Sequence, residues 1–272
     1  MTFTNEQLMK HISEETLDLS DSQIIEEILP LLSTLDWSVR ENVLQLLQRI
    51  STERQIKTTS KAAVLNQLIG DRYLFFNIGS LQSTDLLKRA ATVQTIATFV
   101  KDDATMAFID NELYEKISHA LLLYVDLEAD VRSYIEDWQF VEPVRYATDA
   151  ILTLLRDERF HMEDCKKVFR VLANKIVTSS TLYVGKEQDV LSETFLYLLS
   201  IHLDEKMIED FLVRIPKFIQ KQQNKLERKE AYYLKRNVYQ FLTIFHVYLY
   251  RQNPHHSLLN SVAHCLEKTV SL

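Results

Sequence analysis

Three glycines and four prolines in 272 residues are the strongest constraint on this chain. Ordinary usage at this length would supply about nineteen Gly and about fourteen Pro. Sheet proteins spend those residues on turns, bulges and bends, and phosphate-cradling loops need Gly so that backbone can approach a ligand closely. Gly70, Gly79 and Gly185 stand far apart and form no GxG or P-loop pattern. The expectation is a chain of helices joined by short polar turns, with no Rossmann or P-loop nucleotide site.

The remaining composition narrows the class. Hydrophobic residues make up 46% and charged residues 25%, an ordinary folded balance. A net charge of −7 gives no global pull toward nucleic acid or an anionic membrane, although a local patch could. Cys165 and Cys265 lie a hundred residues apart, which is neither a disulfide framework nor a CxxC metal site. They suit a reducing cytoplasm. The start, MTFTNEQLMKHISEE, lacks the basic and apolar regions of a signal peptide, and no window reads as a membrane span.

Helix-start chemistry and 3.6-residue periodicity mark the elements in order. Thr4 to Gln7 has capping-box form, and Ser20 to Gln23 repeats it ahead of Ile24, Ile25, Ile28, Leu29 and Leu32. Asp36 caps a helix from Trp37 to about Thr52, and the next, from about Ser60, stops at Gly70 as a left-handed cap. The aromatic stretch DRYLFFNIGS, 71–80, should pack between helix pairs. Further helices are expected at about Thr84–Val100, Asn111–Val125, Ala129–Glu136, Glu142–Arg156 and Met162–Val177. The last third reads as about Asp189–His202, Glu205–Lys221, Arg228–Arg251 and Pro254–Thr269, with Pro216 kinking its helix or ending it early. No segment alternates with period two, so the fold class is all-α.

Arg40, Arg89 and Arg132 recur 49 and then 43 residues apart, each near a helix start and after an acid, a period that fits HEAT-type helix pairs. In such a repeat the acid caps the second helix, and the Arg reaches an acid in the neighbouring repeat. The architecture expected is a right-handed α-α superhelix, a HEAT/ARM-like solenoid of antiparallel helix pairs. It would run as one domain over 1–272, with an N-terminal cap at about 1–20 and a less regular portion at about 204–272.

The succession SVRENVLQLL, YLFFNIG, the Arg89 helix, DLEADVRSYIEDW and DAILTLL, over roughly 20–200, resembles an uncharacterised bacterial family, a conserved domain of unknown function. Its members are similar to HEAT-like α-solenoids. They carry H-x-x-x-H-x-x-D on the helix after the aromatic elbow. The matching positions here are Glu142, Tyr146 and Asp149, so both histidines are missing, and the resemblance implies no activity.

Two residue groups stand out as candidate sites. Glu142, Arg145, Tyr146 and Asp149 share a helical face at i, i+3, i+4 and i+7, with Arg132, Tyr134, Glu136 and Trp138 just upstream. They could line a polar pocket for a small ligand or a partner side chain, or tie neighbouring repeats together by ion pairs, and the second use is the commoner in stacked helices. The second group is basic and aromatic: Lys221, Lys225, Arg228, Lys229, Lys235 and Arg236 among Tyr232, Tyr233 and Tyr239. Such a run suits nucleic acid, but acids dilute it and the aromatics fall largely on the core stripe. His246, His255, His256 and His264 lack zinc-site spacing, and both cysteines read as small core residues.

No nucleophile–base pair, metal set or cofactor loop is legible, so no cofactor is expected. The preferred expectation is a non-enzymatic helical-repeat module that binds protein. Nucleic-acid binding through 214–251 is the alternative, and a small-ligand site at 142–149 comes third.

Overall fold

In the computed structural model, which describes residues 3–136, 139–201 and 203–271, the protein is all-helical apart from one two-stranded pair of two-residue strands. No helix is long and apolar enough to cross a membrane among those residues. The chain falls into two compact units, residues 1–130 with 135–159, and residues 131–134 with 160–272.

The first unit opens with α1 (Asn5–Ser13), held by the Thr4–Gln7 capping box. The regular helix expected after Ser22 does not form. A π-helical turn, Gln23–Ile28, and a 3-10 segment, Leu29–Ser33, take its place. Pro30 lacks the amide that would continue an α ladder, so the backbone changes pitch there. Asp36 caps α2 (Trp37–Thr52) through the Ser38 and Val39 amides. Then come α3 (Thr58–Leu68), α4 (Asp85–Met106), α5 (Asn111–Leu127) and α6 (Pro143–Leu155). Alternate helices pack together: α2 on α4 and α4 on α6, with α3 against α5 and the within-pair contacts α3 on α4 and α5 on α6.

Scarce glycine has a local consequence. Left-handed backbone falls on Asn77, Gln82, Ala107 and Glu142 as well as on Gly79. Such conformations cost side-chain-bearing residues free energy and persist where neighbours over-determine them. Gly70, expected as a left-handed cap, has no positive φ, and the helix ends instead at Ile69 with a turn. At Ala107 the following amides of Phe108 and Ile109 both donate to Asp103 Oδ1, at 2.7 and 2.8 Å. At Gln82 the amide donates to Asp130 Oδ2 at 2.9 Å.

The helix expected at 129–136 does not form. Strands β1 (Tyr134–Ile135) and β2 (Gln139–Phe140) pair there instead. Glu128 and Asp130 are the reason. The Glu128 carboxylate is taken by Arg89 and by the Asp130 amide, and Asp130 by Gln82, so neither acid is free to cap a helix. The β-branched and aromatic residues after them favour an extended backbone.

The second unit holds α7 (Cys165–Ile176), α8 (Glu187–Ser200), α9 (Glu205–Gln223), α10 (Arg228–Gln252) and α11 (Leu258–Ser271). Helix α10 is its centre, touching each of the other four. Leu234, Val238, Phe241, Leu242, Phe245 and Leu249 form its buried stripe. Phe195 of α8 lies against Phe169, Phe211, Phe241 and Phe245, with ring centroids 5.2–6.4 Å apart. Pro254 does not open the last helix: Asn253 Oδ1 accepts the His255 amide in a local turn, and α11 starts at Leu258.

Helix α9 runs unbroken through Pro216. Burial of Ile208, Leu212, Ile215 and Ile219 outweighs one lost ladder bond. Pro216→Ala should therefore raise stability by about 1–3 kcal/mol, the interior-proline penalty less relaxation already achieved, read as a higher denaturant midpoint at constant m.

Candidate functional site

The residues expected at 142–149 come together only in part. Glu142 is buried and precedes α6 in a left-handed conformation, outside the helix it was expected to open. Its carboxylate still reaches Arg145 Nη1 at 2.6 Å, and Arg145 Nε lies 3.8 Å from Asp149 Oδ2. The Arg145 guanidinium sits 5.0 Å over the Tyr146 ring. Burial acts on Tyr146 and Arg145 in opposite directions. It pushes the Tyr146 phenol up, whereas for Arg145 it acts downward and is outweighed only by the Glu142 hydrogen bond together with the charges of Glu142, Tyr146 and Asp149. Arg132 is half-buried on irregular backbone, Tyr134 is exposed on β1, and both belong to the other unit; Trp138 lies outside the described residues.

Glu41 is among the charges acting on Tyr146, which brings α2 into the same neighbourhood. Between α2 and α4 lies a notch of about 70 Å³, lined by Glu41, Gln45 and Gln48 on one side and by Gln94, Thr95 and Thr98 on the other. Thr95 and Thr98 donate to carbonyls of their own helix, at Ala91 and Gln94. Gln45 donates to Glu41 at 3.3 Å. The side-chain amides of Gln48 and Gln94 have no hydrogen-bond partner among the described residues. These glutamines were not singled out from the sequence, although Glu41, Gln45 and Gln48 at i, i+4 and i+7 already put three polar groups on one face of α2.

Two ion networks, one buried and one half-buried, hold this unit together. Arg89 is fully buried and binds Glu128 with two hydrogen bonds, Nε to Oε2 at 2.6 Å and Nη2 to Oε1 at 3.0 Å. Its Nη1 donates to the carbonyls of Phe76 and Asn77 and to Ser80 Oγ. Arg159 likewise binds Asp157 and Asp103, donates to the Ile109 carbonyl, and lies 4.5 Å over Tyr114. The Tyr114 hydroxyl donates to Leu154 O at 2.8 Å, and burial pushes its phenol up to about 12. Arg40 does not follow the expected acid-pairing pattern: it is buried, donates to the Thr34 carbonyl and stacks 5.3 Å from Trp37.

Comparison with known families matches residues 74–247 to a family described as Protein of unknown function (DUF2785). The chain belongs to that family. The matched stretch begins in the aromatic stretch 71–80 that Arg89 anchors and runs through most of α10. Among curated proteins and solved structures, none matches the chain.

The basic run of the C-terminal third is more self-engaged than its composition implied. Lys229 and Arg236 lie over the rings of Tyr233 and Tyr239, at 5.6 and 5.3 Å, and Lys235 Nζ donates to the Val270 carbonyl. Lys221, Lys225 and Arg228 are exposed around the α9–α10 turn. No group of three or more His, Cys, Asp or Glu among the described residues is placed to hold a metal ion. Cys165 and Cys265 are buried free thiols, as read from the sequence.

Proposed function

We propose that this DUF2785 chain is a non-enzymatic binding module in the reducing cytoplasm that holds a peptide segment of a partner protein on the α2–α4–α6 face. The notch amides carry the reading. A side-chain amide offers one acceptor and two donors, the same kinds of group as a peptide backbone, and Gln48 and Gln94 hold theirs at a surface notch with no internal partner among the described residues. Arg145 and Tyr146 supply a cation and a ring on α6, two side-chain types enriched where proteins meet.

Alternate-helix packing, α2–α4–α6 in one layer and α3–α5 in the other, supports a HEAT-like arrangement within the first unit, the layout that gives repeat proteins an extended binding face. Nucleic acid is the weaker reading because Tyr233 and Tyr239, which would stack on bases, each have a face covered by the chain's own cations.

The test is site-specific photo-crosslinking from position 98, with and without the pair Gln48→Glu and Gln94→Glu. A protein adduct should form and fall at least tenfold in the variant, whose melting temperature should stay unchanged. An adduct indifferent to both substitutions sinks the proposal. So does a small-metabolite thermal shift that Tyr146→Ala abolishes, because that result would assign the face to a small ligand.

A further inference from the structure

The second unit carries a separate cavity of about 490 Å³ between α9 and α11. That volume is in the range of small-molecule sites. Its wall on α9 spans Leu212 to Gln220, about 12 Å of helix, and its wall on α11 spans Ser261 to Ser271, about 15 Å.

The lining divides cleanly by chemistry. Leu212, Val213, Pro216 and Cys265 make an apolar floor, of which Val213 is 61% exposed. Every ionisable side chain on the rim is basic: Lys217, His264 and Lys268. None of the three has a salt bridge among the described residues, in a chain whose net charge is −7. A locally cationic groove on an acidic protein selects for an anion. Pro216 adds a further feature, since a proline has no amide to bond the Leu212 carbonyl four residues earlier.

The occupant is set by floor size and ring content. No Phe, Tyr or Trp lines the groove, so a nucleobase has only the exposed His264 imidazole to stack on. Leu212 and Cys265 are already covered by packing, which leaves Val213 and Pro216 as the accessible apolar surface. That is too little for the several anchors an amphipathic partner helix lays into a groove, but it suits a single unbranched alkyl chain. We propose that the α9–α11 groove binds a medium-chain aliphatic carboxylate, its chain on Val213 and Pro216 and its head group between Lys217 and Lys268.

Cys265 provides a local readout. Burial pushes its thiol up to about 11, so alkylation should be slow at neutral pH and accelerate as pH rises toward that value. Decanoate below its micelle concentration should slow iodoacetamide labelling of Cys265 at least fivefold at pH 9, scored by peptide mass spectrometry with Cys165 as internal control. Decanol and decylamine should protect at least tenfold less effectively. The pair Lys217→Gln and Lys268→Gln should abolish protection without changing the far-UV circular dichroism melt, both lysines being exposed. Equal protection by decanol, or protection that survives the double substitution, overturns the assignment. Protection by an acidic amphipathic peptide but not by decanoate, or only by anionic phospholipid vesicles, overturns it too, and would assign the groove to a protein or a membrane surface.

Discussion

Glu128→Ala should lower the unfolding free energy of the first unit by about 3–5 kcal/mol, the cost of leaving a buried cation without its partner. Arg89 is completely enclosed, and the carboxylate of Glu128 is its only charged hydrogen-bond acceptor among the described contacts. Removing the acid strands a guanidinium away from water and also frees the Asp130 amide. The same pair replaced by apolar residues, Arg89→Met with Glu128→Leu, should recover only part of the loss. In isolated buried pairs such replacements are often neutral. Here Arg89 also satisfies the carbonyls of Phe76 and Asn77, and a thioether cannot. Denaturant titration, with hydrogen exchange of the 74–87 amides to locate the loss, measures both. A single-variant loss below about 1 kcal/mol would mean that the network is hydrated and contributes little.

Asn237→Leu should cost the second unit about 2–4 kcal/mol, although the replacement keeps the branching and the number of side-chain heavy atoms. Asn237 is fully buried on α10. Its Oδ1 accepts the Tyr183 amide at 2.9 Å, and its Nδ2 donates to the carbonyls of Thr178 and Thr181 at 3.2 and 2.8 Å. One side chain therefore replaces the secondary structure that the irregular 177–186 connection lacks. The Tyr183 amide is enclosed and would be orphaned, whereas the two threonine carbonyls are half-exposed and can recover water, which keeps the estimate below three full penalties. Loss of exchange protection at Tyr183, at a denaturant concentration where α10 remains protected, would place the effect on the connection. An unchanged midpoint would contradict it.

Legibility in the sequence divides along a physical line. Caps are local, so Thr4, Asp36 and the helices they open were legible from neighbours three residues away. Arg89 was legible by its spacing, and it does reach an acid of the next segment, 39 residues on. At Arg132 the spacing recurs but the expected helix does not form, because Glu128 and Asp130 were already committed to other partners. The failures at Pro30, Pro216 and Pro254 share a cause. A proline states what its own amide cannot do, and burial elsewhere decides whether the helix changes pitch, continues or starts later. Asp103 was not legible as a network residue, because its helix was expected to end at about Val100; α4 runs on to Met106 and puts the acid in its last turn, where it opposes the helix dipole and is held by a partner outside the helix. The notch glutamines were legible as a polar stripe but not as a site, since nothing in one helix tells which helix lies beside it.

The left-handed residues have a consequence for how this family can drift. At Ala107, a backbone geometry that glycine adopts freely is imposed on alanine by a carboxylate four residues earlier, which takes the next two amides. The two positions should therefore vary together. Sequences with glycine at 107 gain freedom to lose the acid at 103, and sequences that keep alanine do not. Arg159 would feel the exchange as well, because it shares that acid, so one small substitution in a connecting turn would relax selection on two charges more than fifty positions apart.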